Sequence, residues 1–428
     1  MSSIYSYLSQ QRTKIQQRDH LNFEYLVAVS ISFIVFALFQ ASPLEIITGL
    51  FHIIIHPDIL ITDYLVVGGV GAAFANAGLV GLIFLYFLHR YHSNISGLSY
   101  AAIFLLLGFS FLGKNVLNIW SIILGVYLYT RYHKQKFSSY IYIAIFATAM
   151  SPIVTELLFH IDTSFPLAFL LANLTGVGLG FVIPPLSTHL LRTHQGYNLY
   201  NVGFTAGLIL TILLALLKSF GFEPTPQLIW GNSYTNILAP FLYCLFSSFI
   251  VLGFIGSNDA LMHYRSLFHY SGRLVTDFFR STHYSGVYLN MGINGIFCTT
   301  LILLLGAELN GPTMGGIFTV VGFSAFGKHL KNILPILIGV ILAVLLKSLS
   351  FQTPSIILAL LFGTALSPIA GQFGVWWGIL AGFLHVSVVL HVSVLHSGLN
   401  LYSNGFAAGL VAAILVPIIQ SFQKENSL

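Results

Sequence analysis

One stretch of fifteen residues is written twice in this chain, and this repetition constrains the fold more than any other feature. His194–Leu208 and His396–Leu410 are identical at ten of the fifteen aligned positions, without a gap. Self-similarity at a long spacing is typical of an internal duplication. The sequence therefore predicts two halves that share one architecture.

Further matches extend the duplication over most of the chain. Gly108–Lys114 matches Gly322–Lys328, and Thr148–Ile153 matches Thr364–Ile369. The predicted organisation is a cytoplasmic N-terminal tail at 1–23, a first membrane repeat at 24–219, a linker at 220–237, a second membrane repeat at 238–423 and a C-terminal tail at 424–428.

The composition places the chain in a lipid bilayer. Hydrophobic residues make up 56% of the chain and charged residues only 7%, whereas soluble domains carry about 25% charged residues. Long apolar runs recur to the end, which predicts an all-α polytopic membrane protein. The net charge of +5 is expected from basic cytoplasmic loops, so no nucleic-acid partner is predicted.

Each copy offers seven apolar segments, which predicts fourteen spans with broken or re-entrant helices among them. With both termini cytoplasmic in the cell membrane, fourteen of the seventeen Lys and Arg residues fall inside, and Lys114, Lys218 and Lys347 fall outside. A five-span repeat is the alternative, but it moves three more basic residues outside. Either odd number predicts that the two copies are inverted relative to each other.

Two kinds of helix break recur in both copies. The short third segments end in Gly-Phe-Ser-x-x-Gly-Lys, and a Ser-Pro pair interrupts the fifth segments. Broken helices at membrane depth line protein or water-filled cavities, where transporters bind substrate; simple kinks are the alternative. The candidate substrate-binding residues are Ser110, Ser324, Ser151, Ser367, Asn76, Asn290, Asn198 and Asn400. The repeated Gly-x-x-x-Gly pairs predict close helix packing.

Few ionisable residues lie in the apolar segments. Glu156, whose counterpart is Gln372, is the candidate for proton coupling, with a hydrogen-bonded site near the membrane edge as the alternative. Candidates for gating or access are Lys114, Lys328, His194 and His396. For the histidines, anchoring at the membrane interface is favoured over proton relay.

Several other expectations concern single residues. Asp63 and Asp277 are expected to cap helices rather than to bind ions. The two copies of the opening stretch are expected at opposite membrane faces, as matching entrances. No cofactor, metal site or catalytic residue is predicted, and homo-oligomer formation is left open.

The paired Gly-Phe-Ser-x-x-Gly-Lys, Thr-Ala-x-Ser-Pro-Ile and Asn-Leu-Tyr-x-x-Gly-Phe-x-Ala-Gly motifs resemble those of a broad bacterial and archaeal family of internally duplicated membrane proteins of unknown function. The resemblance covers nearly the whole chain and brings no substrate or site residues. The layout is also similar to nucleobase and anion transporters with seven spans per repeat and to urea channels with five, although their substrate-site sequences are not recognisable.

The favoured function is a secondary transporter that moves a small solute through a midplane site between two inverted repeats, with proton coupling through Glu156. A channel for a small neutral polar solute is the alternative, because intramembrane charge is scarce. An intramembrane enzyme acting on lipid is disfavoured, since catalysis usually needs an asymmetric cluster of reactive groups.

Overall fold

The protein is an all-α polytopic membrane protein. A computed structural model describes residues 2–58, 61–91, 94–224 and 227–425. In these ranges nine helices are long and apolar enough to cross a membrane, and a pair of helices bent by 41° within 141–160 provides a tenth crossing if it is one span. The fourteen-span count therefore stays a prediction.

The first copy contains the following elements. Its helices are α1 (Ser2–Gln40), α2 (Pro43–Ile55), α3 (Tyr64–Val67), α4 (Gly69–Arg90), α5 (Gly97–Phe109), α6 (Trp120–Tyr132), α7 (Ile141–Ala147), α8 (Pro152–His160), α9 (Phe165–Leu190) and α10 (Asn201–Ser219). The strand β1 (Ile61–Thr62) pairs in parallel with β2 (Leu228–Ile229), which follows the first copy.

The second copy repeats this order. Its helices are α11 (Thr235–Gly256), α12 (Ala260–Ser266), α13 (Phe278–Ser281), α14 (Tyr284–Leu304), α15 (Gly311–Phe323), α16 (Leu330–Leu346), α17 (Pro354–Gly363), α18 (Ser367–Phe373), α19 (Val375–Val392) and α20 (Ser403–Glu425). Short 3₁₀ turns lie at Phe137–Ser139, Thr148–Met150, Leu267–His269, Thr364–Leu366 and Ser393–His396.

Some predicted boundaries fall partly on residues that the structure leaves out. Residues 225 and 226 of the predicted linker and residues 426–428 of the predicted C-terminal tail lie outside the described residues, as does residue 1 of the N-terminal tail. The rest of the linker carries β2.

The two predicted kinds of break are present in the described helices. Helices α5 and α15 have 13 residues each, and each is followed after four residues by a glycine with positive φ, Gly113 at 76° and Gly327 at 114°. Such a backbone favours glycine and cannot continue a helix. The Ser-Pro pairs follow the 3₁₀ turns at Thr148–Met150 and Thr364–Leu366, which interrupt the fifth segments.

Helices α5 and α15 pack against each other in opposite directions at the centre of the molecule. Gly97, which begins α5, lies against Ala325 just beyond the end of α15, and Gly311, which begins α15, lies against Phe111 just beyond the end of α5. All but one of the α5 residues, and every residue of α15, are buried. The two copies therefore share one core.

Both aspartates cap helices, as predicted, but the capped helices are the short α3 and α13 that precede the second spans. Asp63 accepts a hydrogen bond from the Leu65 backbone N–H at 2.9 Å, and Asp277 accepts one from the Phe279 N–H at 3.1 Å. Asp277 also accepts from Gly97 N–H of the other copy at 3.0 Å. Capping groups of this kind satisfy the free N–H groups of a helix start, and here they also join the copies.

The expectation that the two copies of the opening stretch lie at opposite faces is wrong. The Asn198 amide donates to the Gly405 carbonyl at 3.0 Å, and the His396 ring lies 3.0 Å from the Gly207 carbonyl. Helices α10 and α20 approach so closely that a Cβ on Gly405 would lie 3.2 Å from the Gly203 Cα. The repeated glycines thus serve the predicted close packing, and this packing brings the stretches together.

Candidate functional site

A cavity of about 300 Å³ lies between α5, α15 and the beginnings of α10 and α20. Its inner part is lined by equivalent residues from both copies, which are Leu105 with Thr319, Phe109 with Phe323, Phe146 with Phe362, Tyr200 with Tyr402, and Gly203 with Gly405. The cavity therefore lies where the two copies meet, and most of its lining is apolar.

The outer part of the cavity is lined without such symmetry. Tyr142 and Ile143 of α7 and Thr188 of α9 line it, together with Leu274 and Val275, which lie close to the start of α5. Val275 is 75% exposed. The mouth therefore lies on the side of the molecule where α5 begins and α15 ends.

Two buried lysines lie directly behind the cavity wall, and each contacts a tyrosine of the other copy. The Lys114 ammonium donates to the Tyr402 hydroxyl at 2.7 Å, and the Lys328 ammonium donates to the Tyr200 hydroxyl at 2.5 Å. Lys328 also donates to the Thr364 hydroxyl at 2.7 Å. We name Lys114–Tyr402 and Lys328–Tyr200 the crossed pairs.

The crossed pairs place two lysine amino groups in an apolar environment. Both lysines are 0% exposed, and within the described residues neither ammonium has a carboxylate within 4.0 Å. Each lies near aromatic rings, with Lys114 5.4 Å from the Phe109 ring centre and Lys328 5.4 Å from that of Phe323. Cation–π contacts of this kind offset part of the cost of burying an ammonium.

The sequence predicts both lysines near an entrance and places Lys114 in an external loop. Their complete burial makes that assignment of Lys114 wrong. The basic-residue count misplaced Lys114 because it treats every lysine as a loop residue, whereas this one is held by a tyrosine 288 positions away.

The asparagines of the predicted substrate site hold backbone instead. Asn76 donates to the carbonyls of Ser110 and Lys114 at 2.7 and 2.8 Å, and Asn290 donates to the equivalent carbonyls in the second copy at 2.7 Å each. These bonds satisfy carbonyls left free at a helix end. Neither asparagine lines the cavity, so their placement favours a structural role.

The four candidate serines are buried outside the cavity lining. Ser110 and Ser324 donate to carbonyls one turn earlier in their own helices, both at 2.8 Å. Ser151 donates to the Gly113 carbonyl at 3.3 Å, and the Ser367 hydroxyl is buried without a partner among the described residues.

The repeated histidines divide into two classes. His189 and His391 are exposed, whereas His194 and His396 are 0% exposed, so the expectation of interfacial anchoring is wrong for the second pair. His194 lies 2.9 Å from the Asn201 amide oxygen, and His396 lies 3.2 Å from the Ser403 hydroxyl. Both histidines hold the turn that leads into the final helix of their copy.

The repeated asparagines of the same turns are also buried. Asn198 and Asn400 each accept a hydrogen bond from the backbone N–H two residues later, that of Tyr200 at 2.9 Å and that of Tyr402 at 3.0 Å. They therefore orient the two cavity tyrosines. The Asn400 amide nitrogen is buried without a partner among the described residues.

Glu156 lies apart from the cavity, in an acidic cluster found in the first copy only. Its carboxylate is 1% exposed and lies 2.8 Å from the ring of His160, which is 37% exposed. Nearby, Asp58 accepts hydrogen bonds from Tyr64 at 2.8 Å and from Thr155 at 3.1 Å. Burial raises the pKa of Asp58, in the segment between α2 and β1, to about 7.

Four residues of this arrangement were absent from the sequence-based candidates, namely Tyr200, Tyr402, Thr364 and Asp58. Both tyrosines occupy equivalent positions of the repeated stretch, so the duplication itself was a usable signal for them. In the described part of the chain, no group of three or more His, Cys, Asp or Glu side chains is placed to hold a metal ion.

Comparison with known proteins places the chain in a family. The sequence profile described as "Protein of unknown function (DUF1576)" matches residues 42–219 and 257–421. The chain belongs to the DUF1576 family. The two matched ranges fall within the two copies of the duplication. No curated protein and no solved structure matches this DUF1576 chain.

Proposed function

We propose that this protein is a secondary transporter in which two inverted repeats enclose a small-solute site and expose it to each side of the membrane in turn. The antiparallel contact of α5 with α15 supports the inversion. In an inverted-repeat transporter the two halves can exchange conformations, which gives one chain two states that open to opposite sides of the membrane. The proposal includes no catalytic step.

The observation that carries the proposal is the difference between the two ends of the cavity. Tyr142 and Ile143 are half-buried and line the mouth. Their counterparts before the second Ser-Pro break, Leu358 and Ala359, are 6% and 0% exposed. One end of the site is open while the equivalent end is closed, as alternating access requires.

Basic residues surround the mouth. Arg192 and Arg273 adjoin the lining residues Leu191 and Leu274 in sequence, and both are exposed. An excess of arginine and lysine is typical of cytoplasmic surfaces. The proposed state is therefore open to the cytoplasm, with both termini on that side.

Single cysteines introduced at the equivalent positions 143 and 359 test the exchange of states. On a background with Cys244 and Cys298 replaced by serine, Ile143→Cys should react with an impermeant thiol reagent from the cytoplasmic side only. Ala359→Cys should react from the opposite side only, and conditions that increase one reactivity should decrease the other. If both cysteines react at once in one molecule, the path is continuous and the protein is a channel.

Proton coupling through Glu156 is the finer part of the proposal. The carboxylate contacts a partly exposed histidine, an arrangement that can exchange a proton with solvent. Solute uptake into proteoliposomes should respond to a pH gradient in the wild type and lose that response in Glu156→Gln. Uptake that ignores the gradient in both proteins would refute coupling and leave the transporter proposal standing.

A further inference from the structure

The crossed pairs place two buried lysines without an acidic partner among the described residues behind the cavity wall, which transport of a neutral solute does not explain. We propose that the transported solute is a small organic anion, with its negative group bound by Tyr200 and Tyr402 in front of Lys328 and Lys114 and its apolar body against the phenylalanines. This inference rests on the transport function proposed above and names its substrate class.

Two buried lysines without acids nearby favour a negatively charged ligand. An ammonium in an apolar environment costs several kcal/mol unless an opposite charge accompanies it, so a bound anion favours the charged form of both lysines. The cavity lining contains no Asp or Glu among the described residues, and the acidic cluster around Asp58 and Glu156 lies elsewhere. An anion in the cavity supplies the opposite charge that the protein lacks at this position.

The direction of the hydrogen bonds is a second feature that favours an anion. Each ammonium donates to a tyrosine oxygen, so the tyrosine keeps its own O–H hydrogen as a donor. A hydroxyl that accepts from a cation is polarised and donates more strongly to the next acceptor. Since both tyrosines line the cavity, they are placed to donate to a carboxylate or a similar group.

Two helix starts are a third feature that favours an anion. The first turns of α10 and α20 contribute Asn201, Gly203, Asn404 and Gly405 to the lining. Helix N-termini carry partial positive charge and free N–H groups, which favour anions.

The apolar lining excludes a bare inorganic ion as the preferred occupant. Phe109, Phe146, Phe323 and Phe362 surround the site in two equivalent pairs. A cavity of about 300 Å³ lies at the lower end of the usual size of ligand sites. A monocarboxylate with a short aliphatic or aromatic body matches both the charge and the volume.

Binding to the purified full-length protein in detergent tests the inference. The probes are benzoate and the linear carboxylates from acetate to octanoate, each compared with its neutral amide, and thermal stabilisation reports binding. Carboxylates should bind at least about tenfold more tightly than the amides, because hydrogen bonds to charged groups are the stronger ones. Affinity should rise with chain length until the cavity is filled.

Variants then assign the effect to the crossed pairs. Tyr200→Phe and Tyr402→Phe keep the ring and remove the donor, so each should weaken carboxylate binding roughly tenfold without changing amide binding. Lys218→Met, which removes an exposed lysine, is the matched charge control and should bind like the wild type. Size-exclusion chromatography and helical circular dichroism establish that each variant is folded.

The outcomes separate this inference from the transport function. The inference is overturned if no carboxylate binds, if amides bind as well, or if both tyrosine variants retain wild-type affinity. Flux of glycerol in proteoliposomes without carboxylate binding rejects the anion and keeps transport. Carboxylate binding without flux of the same compounds supports the anion site and rejects transport.

Discussion

The two copies share a backbone framework and differ in the polar groups attached to it. In both copies an asparagine of the second span, Asn76 or Asn290, holds the end of the third segment. A later asparagine donates to the carbonyl of the repeated glycine, Asn118 to Gly113 at 3.0 Å and Asn332 to Gly327 at 2.8 Å. Asp58 of the first copy bonds Asn118, whereas Gly272 approaches Asn332 in the second.

The shared framework positions the site, whereas the residues found in one copy only make its two ends unequal. The framework appears twice because each half needs it to place a lysine and a tyrosine. The acids appear once, on the end that is closed. The comparison predicts that substituting a framework residue lowers the stability of the protein in either half. Substituting a single-copy residue changes only the end of the site at which that residue lies.

The largest expected effect comes from removing a framework asparagine. Asn76→Ala leaves two buried carbonyls without their donor, which should lower stability by roughly 3 kcal/mol. Asn290→Ala should cost less, because Asn76 also accepts from the Val116 N–H at 3.2 Å. Among the described contacts Asn290 accepts only from the Asn294 amide, which keeps a second partner in the Ser324 hydroxyl at 2.7 Å. Thermal unfolding in detergent measures both. Asn173→Ala, at a half-buried asparagine whose amide bonds, within the described residues, only to the Phe169 carbonyl of its own helix, is the control; equal losses in the two copies would contradict the predicted order.

The next effect is a pH dependence of stability that arises from the first copy alone. The pKa of Asp58 is about 7 in the folded protein and about 4 in an unfolded chain. The folded state therefore binds the proton more tightly, so this group's contribution to stability falls as pH rises from about 4 to 7. Asp58→Asn should flatten the pH dependence of the unfolding temperature in this range. An unchanged slope would show that Asp58 does not titrate there.

The smallest effect distinguishes the crossed pairs. Thr364 and Thr148 each donate to a carbonyl one turn earlier at 2.6 Å. Thr364 also accepts from Lys328, whereas Thr148 has no bond to Lys114 among the described contacts. Thr364→Val should therefore lower stability by about 1 kcal/mol more than Thr148→Val. Chemical unfolding of the two variants measures the difference, and equal values would mean that the two pairs are equivalent.

The duplication, the helical class and the aspartate caps could be predicted because each depends on local patterns. Apolar runs, glycine spacing and a carboxylate before a helix start carry this information within a few residues. The crossed pairs could not, because Lys114 and Tyr402 are 288 positions apart and meet only where the two copies pack against each other. Hydropathy also gives no sign that a lysine next to a glycine turn is buried.

Comparing equivalent positions of the two copies identifies the acids that are present only once. Glu156 is one, because its counterpart is Gln372, and Asp58 is another, because its counterpart is Gly272. Asp58 lies before the block in which the two copies align without gaps, so its pairing with Gly272 is not evident from the sequence.

The exchange of partners between the crossed pairs has a consequence for the origin of the gene. A half-length ancestor would carry one lysine and one tyrosine that its own fold keeps apart. It would complete both pairs only by assembling with a second molecule of itself in the opposite orientation. Fusion of two such genes would fix that orientation permanently and free each half to acquire residues, such as Asp58 and Glu156, that a symmetric dimer would have had to carry twice.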